Sequence, residues 1–102
     1  MFIIIEEFNE PIGFLAYYLN PDNRFAYIPE IVVHKNSRHL GIGHLLINTL
    51  VDILGYPYFF LRLEVSKGNT NARAFYEREG FVEIDDHGKK YLLEKVLQYE
   101  HD

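Results

Sequence analysis

Three apolar runs crowd the first 33 residues, and the spacing of apolar positions turns helical only once the chain reaches Gly41. That single change of period constrains the fold more than any other feature. Met1–Phe8 is rich in isoleucine and reads as a strand. Asn9-Glu10-Pro11 marks a turn, Ile12–Leu19 a second strand, and Asn20-Pro21-Asp22-Asn23 a second turn. Phe25–Val33 continues the meander as a third strand. From Gly41 to Leu54, Ile42, Leu45, Leu46, Leu50 and Ile53 fall on one helical stripe. Ile47, Val51 and Leu54 form a second stripe, so this helix is expected to be covered on more than one side. Gly55-Tyr56-Pro57 stops it.

Tyr58–Val65 reads as an apolar and aromatic strand, and Ser66–Thr70 as a polar loop. Asn71–Glu79 is a short helix closed by Gly80, with Ala72, Phe75 and Tyr76 on one face. Phe81–Ile84 and Lys90–Val96 are strands around an Asp85–Lys89 turn. The order strand, strand, strand, helix, strand, helix, strand, strand predicts a mixed α/β (α+β) chain with one mostly antiparallel sheet. The third and fourth strands, joined through a full helix, are expected as parallel neighbours. With no linker or internal repeat among 102 residues, a single domain over 1–102 is expected.

Composition narrows the function classes. Without cysteine the chain has no disulfide framework, no thiolate metal site and no thiol nucleophile, which suits a reducing cytoplasm. His34, His39, His44, His87 and His101 show no metal-ligand spacing, so no metal site is expected. Net charge is -5, which argues against a nucleic-acid binder. No run approaches the roughly 18 apolar residues of a membrane span, and the N-terminus lacks the pattern of a signal peptide, so neither membrane nor export is expected. Residues 1–32 carry five acids and one base and residues 81–102 six acids and three bases, whereas residues 33–80 carry four acids and six bases. An anionic ligand is therefore expected at the middle segment.

Three constellations carry potential chemistry. Arg38-His39-Leu40-Gly41-Ile42-Gly43 lies between a strand and a helix, where glycines and the unpaired amides of a helix N-terminus suit a phosphate or pyrophosphate. The same residues also fit an ordinary strand-to-helix turn, and they form neither a Walker loop nor a dinucleotide fingerprint. Asn69 or Asn71 fits a helix cap, and Tyr76 fits either a core aromatic or a proton donor. Glu30, just after Pro29 in an apolar strand, fits either the wet face of a sheet or a general base. His34 is a weaker alternative base.

Together these residues resemble the GCN5-related N-acetyltransferase (GNAT) superfamily. Its central motif is Gln or Arg, two residues, Gly, one residue, then Gly or Ala, and Arg38 through Gly43 match it in full, with Val33 matching the valine that ends the preceding strand. Its downstream motif is matched at Asn69, Ala72, Phe75, Tyr76, Gly80 and Phe81. The resemblance runs from about Gly13 to Val96. It implies an acyl-CoA N-acyltransferase fold and an acetyl-CoA-dependent enzyme. The backbone amides from Arg38 through His39, Leu40, Gly41, Ile42 and Gly43 to His44 would cradle the CoA pyrophosphate. The strand Ile31-Val32-Val33 would pair with the pantetheine arm, and the Val33 amide would polarise the thioester carbonyl. Asn69 would bond the pantetheine region, with Ala72 and Phe75 beside it. Tyr76 would protonate the leaving thiolate and Glu30 would deprotonate the acceptor. The resemblance also implies that the acetyl group passes directly to an amine in a ternary complex, and a chain without cysteine cannot form an acyl-cysteine.

Members of the superfamily usually begin with a strand and two helices before the hairpin, whereas Met1 opens at what resembles their second strand. The apolar surface this leaves uncovered predicts a homodimer in which a neighbour supplies the missing wall. The acidic flanks favour a cationic small-molecule or peptide amine, such as a polyamine, an aminosugar or a lysine side chain. The alternative is a CoA-binding regulatory or interaction module without activity of its own.

Overall fold

The computed structural model describes residues 1–38 and 40–97. The chain runs β1 (Phe2–Glu7), β2 (Glu10–Asn20), β3 (Phe25–Val33), α1 (Ile42–Ile53), β4 (Phe60–Ser66), α2 (Thr70–Arg78), β5 (Val82–Asp86) and β6 (Lys90–Val96). This is the expected order of elements, and β3 and β6 fall on their expected bounds. The first turn lies one residue earlier than its Asn-Glu-Pro signal: Phe8 and Asn9 both adopt positive φ, at 53° and 64°, forming a two-residue hairpin turn whose twist matches that of the strands. Pro11 sits inside β2, opposite Glu6 where the β1–β2 register shifts, a bulge that tolerates a residue without an amide hydrogen.

The six strands form one sheet in the order β1-β2-β3-β4-β6-β5. All neighbouring pairs are antiparallel except β3 with β4, which are parallel because α1 carries the chain back across the sheet. Both helices pack on one face. Gly13 of β2 lies so close to α1 that a Cβ there would come within 2.6 Å of Ile42. Phe75 of α2 rests against Gly43 of α1, and Arg73 of α2 lies 4.5 Å from the ring of Tyr91 on β6. The core between helices and sheet holds Leu15, Ile28, Leu46, Ile47, Leu50, Leu61, Leu63, Phe81 and Leu93.

The α1 seam falls between the two stripes seen in the sequence. Ile42, Leu46, Ile47, Leu50 and Leu54 are buried, whereas Leu45 and Ile53 face outward. One sheet beneath the helix covers a single face, so the outer edge of the first stripe stays in solvent while Ile47, Val51 and Leu54 of the second are packed against the core.

The other face of the sheet carries no helix among the described residues. Paired residues share a face, so Phe2 and Ala16, Ile4 and Phe14, Tyr18 and Tyr27, and Arg62 and Glu94 all point this way. The β1–β2 half is apolar: Phe2 stacks on Phe14 with ring centroids 5.9 Å apart, and both Phe2 and Tyr18 are 63% exposed. The β4–β6 half is charged, with Arg62 Nε 2.8 Å from Glu94 Oε2 and the guanidinium over the ring of Phe25.

Candidate active site

The parallel pair is short. Only Phe25, Ala26 and Tyr27 of β3 pair with β4, opposite Phe60, Leu61 and Arg62. Past that point β3 keeps its ladder to β2 as far as Val33, and β4 keeps its ladder to β6 as far as Ser66. The two halves of the sheet therefore part and leave a wedge. It opens toward the carboxyl ends of two parallel strands, the usual place for a ligand in such sheets.

One wall of the wedge is an unpaired strand edge. The His34 amide is spent on Ile12 O at 2.8 Å, on the β2 side. Successive residues of a strand turn their amides to opposite sides, so Val33 and, two residues back, Ile31 present N–H and C=O to the wedge. Val32 faces β2 with its backbone, and its side chain lies on the bare face, 47% exposed. Glu30 projects on that same face, is exposed, and its carboxylate makes no protein hydrogen bond among the described residues.

The wedge mouth is formed by two helix N-termini. At the first, Gly41 is the cap residue of α1 with φ +72°, a left-handed conformation that favours glycine, and no side chain caps the helix. The first intrahelical bond is Leu45 N to Gly41 O, so the amides of Ile42, Gly43 and His44 have no partner among the described residues, and the helix dipole adds to them. Gly43 serves packing: a Cβ there would lie 2.8 Å from Phe75. Arg38 Nε reaches Val33 O at 3.4 Å and Leu40 is exposed, while His39 lies outside the described residues. The His44 ring is held 2.7 Å from Glu79 Oε1 and 2.8 Å from Asn48 Nδ2, tying α1 to the end of α2.

At the second N-terminus, Asn69 Oδ1 accepts the Ala72 amide at 3.1 Å, so Asn69 caps α2 and keeps only its Nδ2 for a ligand. Tyr76 is half-buried between Phe75 and Phe81, at ring distances of 5.4 and 5.7 Å. Its hydroxyl makes no protein hydrogen bond among the described residues. Burial pushes its phenol above the ordinary value, so the proton stays on at neutral pH. His34, the weaker alternative base, has its Nδ1 occupied as an acceptor from Asn36 N at 3.2 Å.

A cluster that the sequence gives no sign of stands at the apex of the wedge. Tyr27 donates its hydroxyl to Glu64 Oε1 at 2.9 Å, and His87 Nδ1 lies 2.8 Å from Glu64 Oε2. The three residues are far apart in the chain and none belongs to a motif. Glu64 reads simply as one polar position of an alternating strand. No group of acids and histidines among the described residues is arranged to hold a metal ion, and no described helix is long and apolar enough to cross a membrane.

A mixed sheet split between two parallel strands, with helix N-termini at the split, defines the acyl-CoA N-acyltransferase fold, and the comparisons agree. The structure superposes on PaiA N-acetyltransferase from Thermoplasma acidophilum in complex with coenzyme A, with TM-score 0.87 and 23% identity over 94% of this chain and 60% of that one. It matches PH1933 from Pyrococcus horikoshii OT3 with TM-score 0.81 and 25% identity over 96% of this chain and 66% of that one. The ribosomal-protein-S18-alanine N-acetyltransferase from Escherichia coli gives TM-score 0.81 and 21% identity over all of this chain and 72% of that one. No curated protein matches the chain at a significant level. Residues 1–81 match the model of the acetyltransferase (GNAT) family, and the chain belongs to that family. It is an acetyltransferase, and the family's acyl donor is acetyl-CoA.

Proposed function

We propose that this chain transfers an acetyl group from acetyl-CoA directly to an amine, with both substrates bound at the β3–β4 wedge. The observation that carries the reading is the wedge itself: an unpaired strand edge at Ile31 and Val33 leads to the uncapped amides of Ile42, Gly43 and His44. These groups suit an extended, amide-bearing arm that ends in a pyrophosphate. Bound there, acetyl-CoA supplies an acyl group activated as a thioester.

The remaining work falls to the chain's own residues. Ile31 and Val33 hold the arm in strand register, and the Val33 N–H is a fixed donor for developing negative charge. Asn69 Nδ2 is a further donor at the α2 end, beside Ala72 and Phe75. Glu30, exposed and with no side-chain partner among the described residues, is the base that takes a proton from the amine, because an ammonium cannot attack. Tyr76 Oη keeps its proton until a thiolate needs it. No residue forms a covalent intermediate, so both substrates must be present together.

The apolar half of the bare face, with Phe2, Ile4, Phe14, Tyr18 and Val32, is the surface a second copy covers in a homodimer. Static light scattering at micromolar concentration is expected to give twice the chain mass, and a clean monomer contradicts this. A cytoplasmic setting fits a chain without cysteine. The cofactor test is thermal unfolding with acetyl-CoA at a concentration near 100 times Kd, where a native-state ligand adds about 2.7 kcal/mol. An unmoved midpoint at millimolar acetyl-CoA rejects the reading. A raised midpoint without acetylation of any amine tested favours a CoA-binding regulatory module.

A further inference from the structure

Four side chains from three segments meet on the bare face where β3 and β4 part. Tyr27 Oη donates to Glu64 Oε1 at 2.9 Å, His87 Nδ1 lies 2.8 Å from Glu64 Oε2, and His87 Nε2 lies 3.2 Å from Asp85 Oδ2. Tyr27 belongs to the last register pair of the parallel ladder, and Glu64 stands two residues beyond its partner Arg62. The Tyr27–Glu64 bond therefore extends the join between the two halves of the sheet by one side-chain link, past the point where the backbone ladder stops.

The chemistry of the ring fixes its state. Each nitrogen of His87 faces a carboxylate oxygen, and an ionised carboxylate only accepts. The ring serves both sides only when both nitrogens carry protons. The hydrogen bond to Glu64, followed by that to Asp85, accordingly holds His87 above its ordinary value. Glu64 is pulled the other way, below the usual carboxylate range, by His87 first and Tyr27 second. Tyr27 is pushed up to about 12 by burial and by its bond to Glu64. The turn bearing His87 is fastened independently: Lys67 Nζ lies 2.7 Å from Asp86 Oδ1, and the Lys67 amide donates to Lys89 O at 3.0 Å. That places the imidazole on a supported turn rather than a loose one.

A carboxylate that already accepts two hydrogen bonds and stays ionised is a poor proton acceptor and a good fixed anion. Glu30, on the same face, makes no side-chain hydrogen bond among the described residues. We propose that His87 is a positioning residue of the acceptor site: anchored by Asp85, it clamps the Glu64 carboxylate against Tyr27, so that Glu64 docks the acceptor's amine as a fixed charge while Glu30 takes the proton. This rests on the acetyltransfer reading above and divides two roles that a lone glutamate would otherwise combine.

The test is a double-mutant cycle in the full chain, read on initial rates with spermidine and with an alanine-terminated peptide as acceptors. His87→Ala and Glu64→Gln are each expected to raise the acceptor KM about tenfold, with kcat and the acetyl-CoA KM within about twofold. The double variant is expected to be no worse than Glu64→Gln alone, because the clamp has nothing left to hold. His87→Gln, which retains one donor toward Glu64, is expected to recover part of the loss. Independently of activity, NMR titration of the His87 ring is expected to show its raised midpoint fall in Glu64→Gln. Additive KM effects, a matching change in acetyl-CoA KM, or a His87 midpoint indifferent to Glu64→Gln each overturns the proposal. If the His87 midpoint responds but wild type acetylates neither acceptor while still binding acetyl-CoA, the acetyltransfer reading fails and the acceptor role of His87 falls with it.

Discussion

The two sides of the wedge are built by different means. The proposed donor side is almost all backbone: the edge at Ile31 and Val33 beyond the β4 ladder, the left-handed Gly41, and the amides of Ile42 to His44. The proposed acceptor side is almost all side chain: Glu30, and the chain of contacts from Tyr27 through Glu64 and His87 to Asp85. Backbone groups give every member of a fold the same grip on an invariant arm. Side chains are what a fold varies to take different acceptors. The contrast teaches where substitutions should act: donor-side changes should move acetyl-CoA binding, and acceptor-side changes should move the amine.

The largest effects are expected where the two sides meet at the reacting atoms. Tyr76→Phe should lower kcat by about 10²-fold and leave the acetyl-CoA KM unchanged, since only a proton donor is lost. Glu30→Gln should lower kcat on a similar scale. If either variant instead raises the acetyl-CoA KM alone, that residue belongs to the donor side and the division fails.

Next in size is Gly13→Val. Its Cβ would press on Ile42 at 2.6 Å, in the first turn of α1, so overpacking should cost about 2 kcal/mol and displace the amides of Ile42 to His44. Urea unfolding should show the loss of stability, and calorimetry should show weakened acetyl-CoA binding. Unchanged binding would mean that the α1 N-terminus does not form the donor site. Asn69→Ala removes a cap worth about 1 kcal/mol and one donor. It should lower the thermal midpoint by several degrees and weaken acetyl-CoA modestly, without a change in acceptor KM.

The smallest effect is on pH dependence. His87 is raised in the folded state, so its contribution is complete below the unfolded value of about 6.5 and is lost as pH rises through the raised value. Wild type should therefore lose its stability margin over His87→Ala as the buffer moves from pH 6 to pH 9. A margin that grows over that range would contradict the double-protonated bridge.

The same contrast explains what the sequence discloses. The turn at Asn20–Asn23, strand Phe25–Val33 and the Arg38–Gly43 motif are local, and the residues that dictate them stand within a few positions of one another. So are the Asn69 cap and the face of α2 that carries Tyr76. The turn at Phe8 and Asn9 escapes its signal because the hairpin adopts left-handed geometry one residue before Asn-Glu-Pro. Gly43 looks like a phosphate glycine but is also required by Phe75, a contact between helices that only tertiary packing creates. The pairing of His44 with Glu79 and the clamp on Glu64 join residues 35, 37 and 23 positions apart. Helix packing brings the first pair together and sheet order the others, and no periodicity in the chain announces either.

On the proposed reading, the β3–β4 wedge receives acetyl-CoA along β3 and at the α1 N-terminus. Backbone amide NMR during an acetyl-CoA titration tests it directly. The expected result is a set of shifts concentrated at Ile31, Val33, Ile42, Gly43 and His44, with Phe2, Ile4 and Tyr18 unmoved. Shifts centred on the β1–β2 half of the bare face, or none at saturating acetyl-CoA, would contradict it.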